Sequence, residues 1–194
     1  MKGLLLVLVD PAPTLEEELN DWYDMEHLPE RAVLTGFETA QRYASLGDGP
    51  RYAAIYDLTD LDALQSDAYL AVSGANFSPW TRRVTSRAHP VRLVARQTTS
   101  EGKITGPCSR LLMLKFCGST SDDRPLIAAG LEASFASAPG HLKSRIFAGV
   151  EPEADFTLAI AEFAGSNVPP LAVGAFGPCS ERIELAATYR PYRV

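Results

Sequence analysis

The sequence predicts an α+β protein in which two tandem βαββαβ repeats pack sheet to sheet as an α+β barrel within one chain. Three observations predict it. Hydrophobic periodicity over residues 1–97 runs strand, helix, strand, strand, helix, strand. A polar, turn-rich stretch at 98–107 (TTSEGKITGP) follows and reads as a linker. Landmarks of the first part then recur in order over 108–194.

Leu4 to Val9 is a continuous apolar run, as expected of a strand covered on both faces. Pro11-Ala12-Pro13 breaks it, and Thr14 precedes Glu17 by three residues, a capping-box spacing at a helix start. The helix from Leu15 carries Leu15, Leu19, Trp22, Tyr23 and Glu26 on one stripe. Pro29 disfavours helical geometry at Leu28 and marks an end or a kink. A second strand covers Phe37 to Ala44, and Gly47-Asp48-Gly49-Pro50 is a turn. In the third strand, Arg51 to Leu58, the residues Tyr52, Ala54, Tyr56 and Leu58 face one way. A helical region over Leu61 to Val72, a further turn at Ser78-Pro79-Trp80 and a strand from Val91 to Gln97 complete the ferredoxin-like plait.

The second part echoes the first. Leu111 to Phe116 matches Leu4 to Val9 at an offset of 107. Pro139-Gly140 and Leu142 to Phe147 match Thr35-Gly36 and the strand ending at Tyr43, at an offset of 104, where Asp155 to Ile160 also overlies Arg51 to Tyr56. Each four-stranded sheet carries helices on one face only, so its other face must be buried on its twin.

Composition narrows the function. With 194 residues, 46% hydrophobic and 22% charged, the chain is ordinary for a globular protein. A net charge of −6 argues against nucleic-acid or anionic-membrane surfaces, which need a clustered positive field. Arg82, Arg83 and Arg87 gather locally and read as a solvated face. The N-terminal apolar run is too short to span a bilayer. Cys108, Cys117 and Cys179 are odd in number and lack metal-ligand spacing, which fits a reducing cytoplasm without disulfides or zinc. No phosphate-binding glycine loop, dinucleotide fingerprint or nucleophile elbow appears.

The chemistry concentrates in Trp22-Tyr23-Asp24-Met25-Glu26-His27-Leu28-Pro29: two aromatics, two carboxylates and one of three histidines. On a helical wheel Glu26 falls in the apolar stripe, with His27 about 100° further round. His27 is the candidate general acid or base, because imidazole titrates nearest physiological pH. Asp24 or Glu26 would orient its ring, and a tyrosine or Arg42 would stabilise developing negative charge. The alternative makes His27 a helix-end residue facing the last carbonyls. Candidate partners from the second and third strands are Arg42, Tyr43, Tyr52 and Tyr56, with Arg42 and Tyr43 on opposite faces. Trp22, Tyr23 and Trp80 are candidate pocket walls. His89, before Pro90, reads as exposed loop, and His141 as a packing residue at a strand start.

The first part resembles the dimeric α/β-barrel superfamily, and within it the EthD-like group and related uncharacterised domains. The resembling residues are Trp22-Tyr23-Asp24-x-Glu26-His27-Leu28-Pro29, Gly36-Phe37-x-x-Ala40-x-Arg42-Tyr43, Tyr69 and Ser78-Pro79-Trp80. The resemblance implies a cofactor-independent isomerase, cyclase, lyase or monooxygenase acting on small, often aromatic, carbonyl compounds, with His27 handling protons and Tyr43 and Arg42 as company. The second part departs from it: at an offset of 104, Asp24, Glu26 and His27 become Ala128, Gly130 and Leu131.

The expectation is therefore a cytoplasmic enzyme without metal or other cofactor, monomeric (a pseudo-dimer) or homodimeric. It would transfer protons through His27 on an aromatic or enolisable carbonyl compound, in a lyase- or isomerase-type step. The alternatives are a hydrophobic-ligand-binding or stress-response module, or a cofactor-free or haem-handling monooxygenase.

Overall fold

The computed structural model describes residues 1–99, 102–150 and 154–192. Its first half contains β1 (Gly3–Val9), α1 (Glu16–Trp22), a π-helical turn (Tyr23–His27), α2 (Leu28–Ala32), β2 (Gln41–Ser45), β3 (Tyr52–Leu58), α3 (Asp67–Leu70), α4 (Pro79–Ala88) and β4 (Val91–Gln97). The second half contains β5 (Arg110–Cys117), α5 (Arg124–Phe135), β6 (His141–Gly149), β7 (Phe156–Phe163) and β8 (Ile183–Pro191).

The eight strands close into one barrel in the order β1-β3-β2-β8-β5-β7-β6-β4. Within each half the spatial order is that of a ferredoxin-like plait, fourth strand, first, third, second. Antiparallel pairing of β2 with β8 and of β4 with β6 joins the halves and removes free edges. The chain thus has a ferredoxin-like α+β barrel fold.

The apolar run of β1 is covered twice, as its sequence requires. Leu4, Leu6 and Leu8 point into the barrel against Ile55, Met113 and Ile160. Leu5 and Val9 point out, under α1 and α4, with Tyr52, Ala54, Tyr56 and Leu58 of β3. Buried side chains from both halves pack together inside the barrel.

Local departures from the sequence expectations have physical causes. Thr14 makes no capping box; a 3₁₀ turn at Pro13–Leu15 starts the helix without a side-chain cap. Pro29 does not end the helix. The Leu28 N–H reaches back five residues to the Tyr23 carbonyl, and Pro29 then sits in the first turn of α2, where its missing donor costs little. The second strand is shorter than expected, because Phe37 only bridges to Leu58 before β2 begins at Gln41. The region at Leu61 to Val72 is two pieces, a 3₁₀ turn at Leu61–Gln65 and α3, separated by Ser66, which caps α3 through the Tyr69 N–H. Ser78-Pro79-Trp80 opens a full helix, α4, rather than one turn. In the second half an irregular helical stretch, Val173–Arg182, interrupted at Gly177 and Pro178, stands in place of a second helix.

Residues 98–107 lie partly against the barrel, with Ser100 and Glu101 outside the described residues. Thr105 is buried and donates its N–H to Asp57 Oδ2 at 2.8 Å. Arg145 of β6 spans the halves, donating to Asp57 Oδ1 of β3 at 2.5 Å and to Thr105 Oγ1 at 2.6 Å, with Glu162 at 3.5 Å. Burial pushes the Asp57 carboxyl up, but the Arg145 guanidinium and hydrogen bonds from Thr105 and Thr39 outweigh it and hold it below its ordinary value.

Candidate active site

A cavity of about 100 Å³ lies between the outer face of the first-half sheet and the helices. Leu5, Val7 and Val9 of β1 form its floor, and Val84 and Ala88 of α4 form one wall. Trp22, Tyr23 and His27 line it from the first helical segment, and Tyr56 from β3.

The π-turn places these groups. His27 stacks on Trp22 with ring centroids 4.3 Å apart, and Tyr23 presents an edge at 5.4 Å. Trp22 is anchored by its Nε1–H, which donates to Thr81 Oγ1 of α4 at 3.0 Å. Although His27 as a residue is only partly buried, its Nδ1 is out of solvent and has no hydrogen-bond partner among the described residues. Burial pushes the imidazole down to about 3, and the Arg31 and Arg42 guanidiniums push the same way. The ring is therefore neutral at physiological pH.

The two neighbouring carboxylates are engaged elsewhere, which corrects the expectation that one of them orients His27. Glu26 accepts from Ser78 Oγ at 2.5 Å and Thr81 Oγ1 at 2.9 Å, at the N-terminus of α4, where a negative charge is favoured. Asp24 accepts from Arg42 Nη1 at 3.0 Å. Arg42 also donates to Asn20 at 2.7 Å and lies between the rings of Tyr23 and Tyr192, each 4.3 Å from its guanidinium carbon. That pairing ties β2 to α1, and Arg42 does not line the cavity.

Tyr43 points the other way, into the barrel, where its hydroxyl donates to Gln41 at 2.7 Å. Tyr52 donates to Glu16 at 2.6 Å, outside the cavity. Trp80 packs against the helix-side core without lining the cavity. Of the expected partners, Tyr56 does line it. Its buried hydroxyl has no hydrogen-bond partner among the described residues, and burial keeps its pKa well above the ordinary value.

Arg31 is the residue that sequence reasoning missed. It stands one turn beyond His27, is only 3% exposed, and lines the cavity. Its Nη2 donates to the Val72 carbonyl at 2.6 Å and lies 3.6 Å from Glu30, and its guanidinium carbon sits 5.1 Å from the Tyr69 ring centroid, while its buried Nη1 has no hydrogen-bond partner among the described residues. The spacing His27-x-x-x-Arg31 on one helix face was the available signal. Arg92, exposed, is the other charged lining residue, so every formal charge on the lining is positive.

The remaining histidines lie elsewhere. His89 ends α4 in a left-handed conformation, φ 46°, with its N–H on the Thr85 carbonyl. His141 lines a groove of about 240 Å³ over the second half, where its Nε2 lies 2.9 Å from Ser144 Oγ. Within α5, Gly130 stands where the offset of 104 would put a counterpart of Glu26, and the Phe176 ring packs directly against it. Among the described residues no group of three or more His, Cys, Asp and Glu is arranged to hold a metal ion. Nor is any described helix long and apolar enough to cross a membrane.

The architecture is a ferredoxin-like α+β barrel fold, and solved structures share it along nearly the whole chain. An anthrone oxidase-like protein superposes with a TM-score of 0.70 at 13% identity, over 99% of this chain and 91% of its own. A protein from Lactobacillus acidophilus NCFM named as a candidate monooxygenase gives 0.56 at 11%, over 99% and 93%. A mutant chlorite dismutase from Candidatus Nitrospira defluvii, in complex with cyanide, gives 0.57 at 8%, over 99% and 91%. At these identities the likeness is one of fold. No protein-family model matches the sequence, and no curated protein matches it closely.

Proposed function

We propose that the protein is a cofactor-independent enzyme that oxidises a small, enolisable aromatic carbonyl compound with dioxygen, beginning with proton transfer to His27. One observation carries the reading: a neutral imidazole, its buried Nδ1 without a partner among the described residues, on the lining of a cavity walled by aromatic and aliphatic side chains. Burial alone makes His27 a weak base. Proton transfer from a carbon acid held in the cavity therefore requires that the positive charge of Arg31 stabilise the enolate formed, and that the enolate, as counter-ion, offset the penalty on the imidazolium. Dioxygen then oxidises the enolate. An activated CH₂ becomes C=O and water, with both oxygen atoms and the four-electron oxidising capacity supplied by O₂. The oxidase- and monooxygenase-named fold neighbours support an oxidative outcome over the lyase or isomerase step expected from sequence.

A haem-dependent reading fits less well. Ligand pockets for larger molecules run to about 300–1,000 Å³, whereas this cavity is about 100 Å³. We further read the chain as an EthD-like duplication, in which residues 1–97 keep the chemistry and 108–194 replace a second subunit. The repeated strand order in the two halves supports this. On that reading the protein works in the cytoplasm as a monomeric pseudo-dimer.

The test offers single-ring aryl ketones bearing an activated methylene and follows both α-deuterium exchange and oxygen uptake. Exchange with one O₂ consumed per product is expected, falling about 10²-fold or more in His27→Ala with an unchanged circular dichroism spectrum. Exchange without oxygen uptake would return the protein to the lyase or isomerase class. Binding without either would make it a ligand-binding module.

A further inference from the structure

We propose that the cavity beside His27 selects a single-ring aromatic ligand carrying one anionic oxygen group, held by Arg31 Nη1 and Tyr56 Oη. This names the substrate class of the site proposed above, but it stands on binding alone.

Buried polar groups in folded proteins are nearly always hydrogen-bonded, because an unmade bond forfeits solvation without return. Three residues that line this cavity carry such an atom: His27 Nδ1, Arg31 Nη1 and Tyr56 Oη are buried and have no hydrogen-bond partner among the described residues. Both Arg31 and Tyr56 are almost wholly buried, at 3% and 1% exposure. Tyr56 stays protonated, and a guanidinium has no acceptor, so both offer donors. Two unfilled donors on lining residues call for an acceptor that the described residues do not supply.

Charge narrows the acceptor. Arg31 and Arg92 are the charged residues on the lining, and no carboxylate joins them. Glu30, 3.6 Å from Arg31 Nη2, offsets part of the field but leaves Nη1 open. An anionic oxygen would gain a charge-assisted hydrogen bond that a neutral amide oxygen gains more weakly. Size narrows the rest: an engineered apolar cavity of about 150 Å³ takes benzene, so about 100 Å³ limits the ligand to one ring at most, its substituent reaching toward the mouth. Ring edges and aliphatic side chains among the lining, Tyr23, Tyr69, Leu5 and Val84, suit an apolar ring.

Calorimetric titration at pH 8 with benzoate, 4-nitrophenolate and the neutral benzamide tests this, and ranking the two anions separates carboxylate from phenolate. At least one anion should bind about tenfold or more tightly than benzamide, with that preference lost in Arg31→Met. Arg31 also supports the Val72 carbonyl, so Tyr56→Phe serves as the second variant. It removes only an unpartnered hydroxyl, should fold, and should weaken the anion several-fold. Equal affinity for benzamide, no anion binding at millimolar concentration, or an anion preference surviving in both variants would overturn the proposal. Anion-selective binding without turnover would sink the oxidative function and leave this inference standing. Turnover indifferent to both substitutions would do the reverse.

Discussion

The imidazole of His27 lies against the indole of Trp22, with 4.3 Å between centroids and 28° between ring planes. Five residues separate the two, which on a regular α-helix would put them about 140° apart. The π-turn at Tyr23–His27 carries the helix through an extra residue and brings both rings to one cavity. It also turns Glu26 away, toward the start of α4. Single π-turns inside helices often mark functional sites, because the inserted residue re-aims side chains that an α-helix would fix.

His27 should make stability depend on pH. Its folded pKa, about 3, lies below the model-peptide value near 6.5, so between those pH values the unfolded chain binds a proton that the native one refuses. Its contribution is complete above the unfolded pKa and is lost as pH falls toward 3. Urea denaturation at pH 4 and pH 8 should show a drop that shrinks in His27→Leu. The same depressed pKa predicts a rate with no His27-dependent inflection between pH 5 and 9.

Replacing Arg42 by lysine should destabilise the fold by about 1–3 kcal/mol, because an ammonium cannot serve Asp24 and Asn20 together while stacking between Tyr23 and Tyr192. The midpoint of chemical denaturation measures it.

Asp57→Asn should cost about 3 kcal/mol or more, since it leaves the wholly buried Arg145 without its 2.5 Å partner. The wild-type contribution should be present at neutral pH and disappear as pH falls through the depressed carboxylate pKa. Equal acid sensitivity of variant and wild type would contradict that assignment.

Gly130→Ala should destabilise although alanine is the better helix former by about 1 kcal/mol. A Cβ there would meet the Phe176 ring at 2.5 Å, and overpacking of this kind costs about 1–3 kcal/mol. Thermal melting should register a lower midpoint.

Much of the fold was legible because it is written locally. The unbroken run Leu4 to Val9 announced a strand buried on both faces, and the one-sided set Tyr52, Ala54, Tyr56 and Leu58 faces the helices as its alternation required. The candidate site was legible only in part. Trp22, Tyr23, His27 and Tyr56 meet at the cavity, whereas Arg42 and Tyr43 part at β2 because successive strand residues face opposite sides. A helical wheel drawn at 3.6 residues per turn could not show the π-turn, and so it set Glu26 in the apolar stripe.

The sequence by itself determined the order of strands and helices and the aromatic, histidine-bearing segment, because periodicity and turn chemistry act over a few residues. Only the tertiary structure decided which polar groups were left without partners. Glu26 is claimed by Ser78, 52 residues away, and Asp24 by Arg42, 18 away, while nothing in the described chain reaches His27 Nδ1, Arg31 Nη1 or Tyr56 Oη. Hydrogen-bond satisfaction depends on which distant segments the closed barrel brings together, and no short-range pattern encodes it.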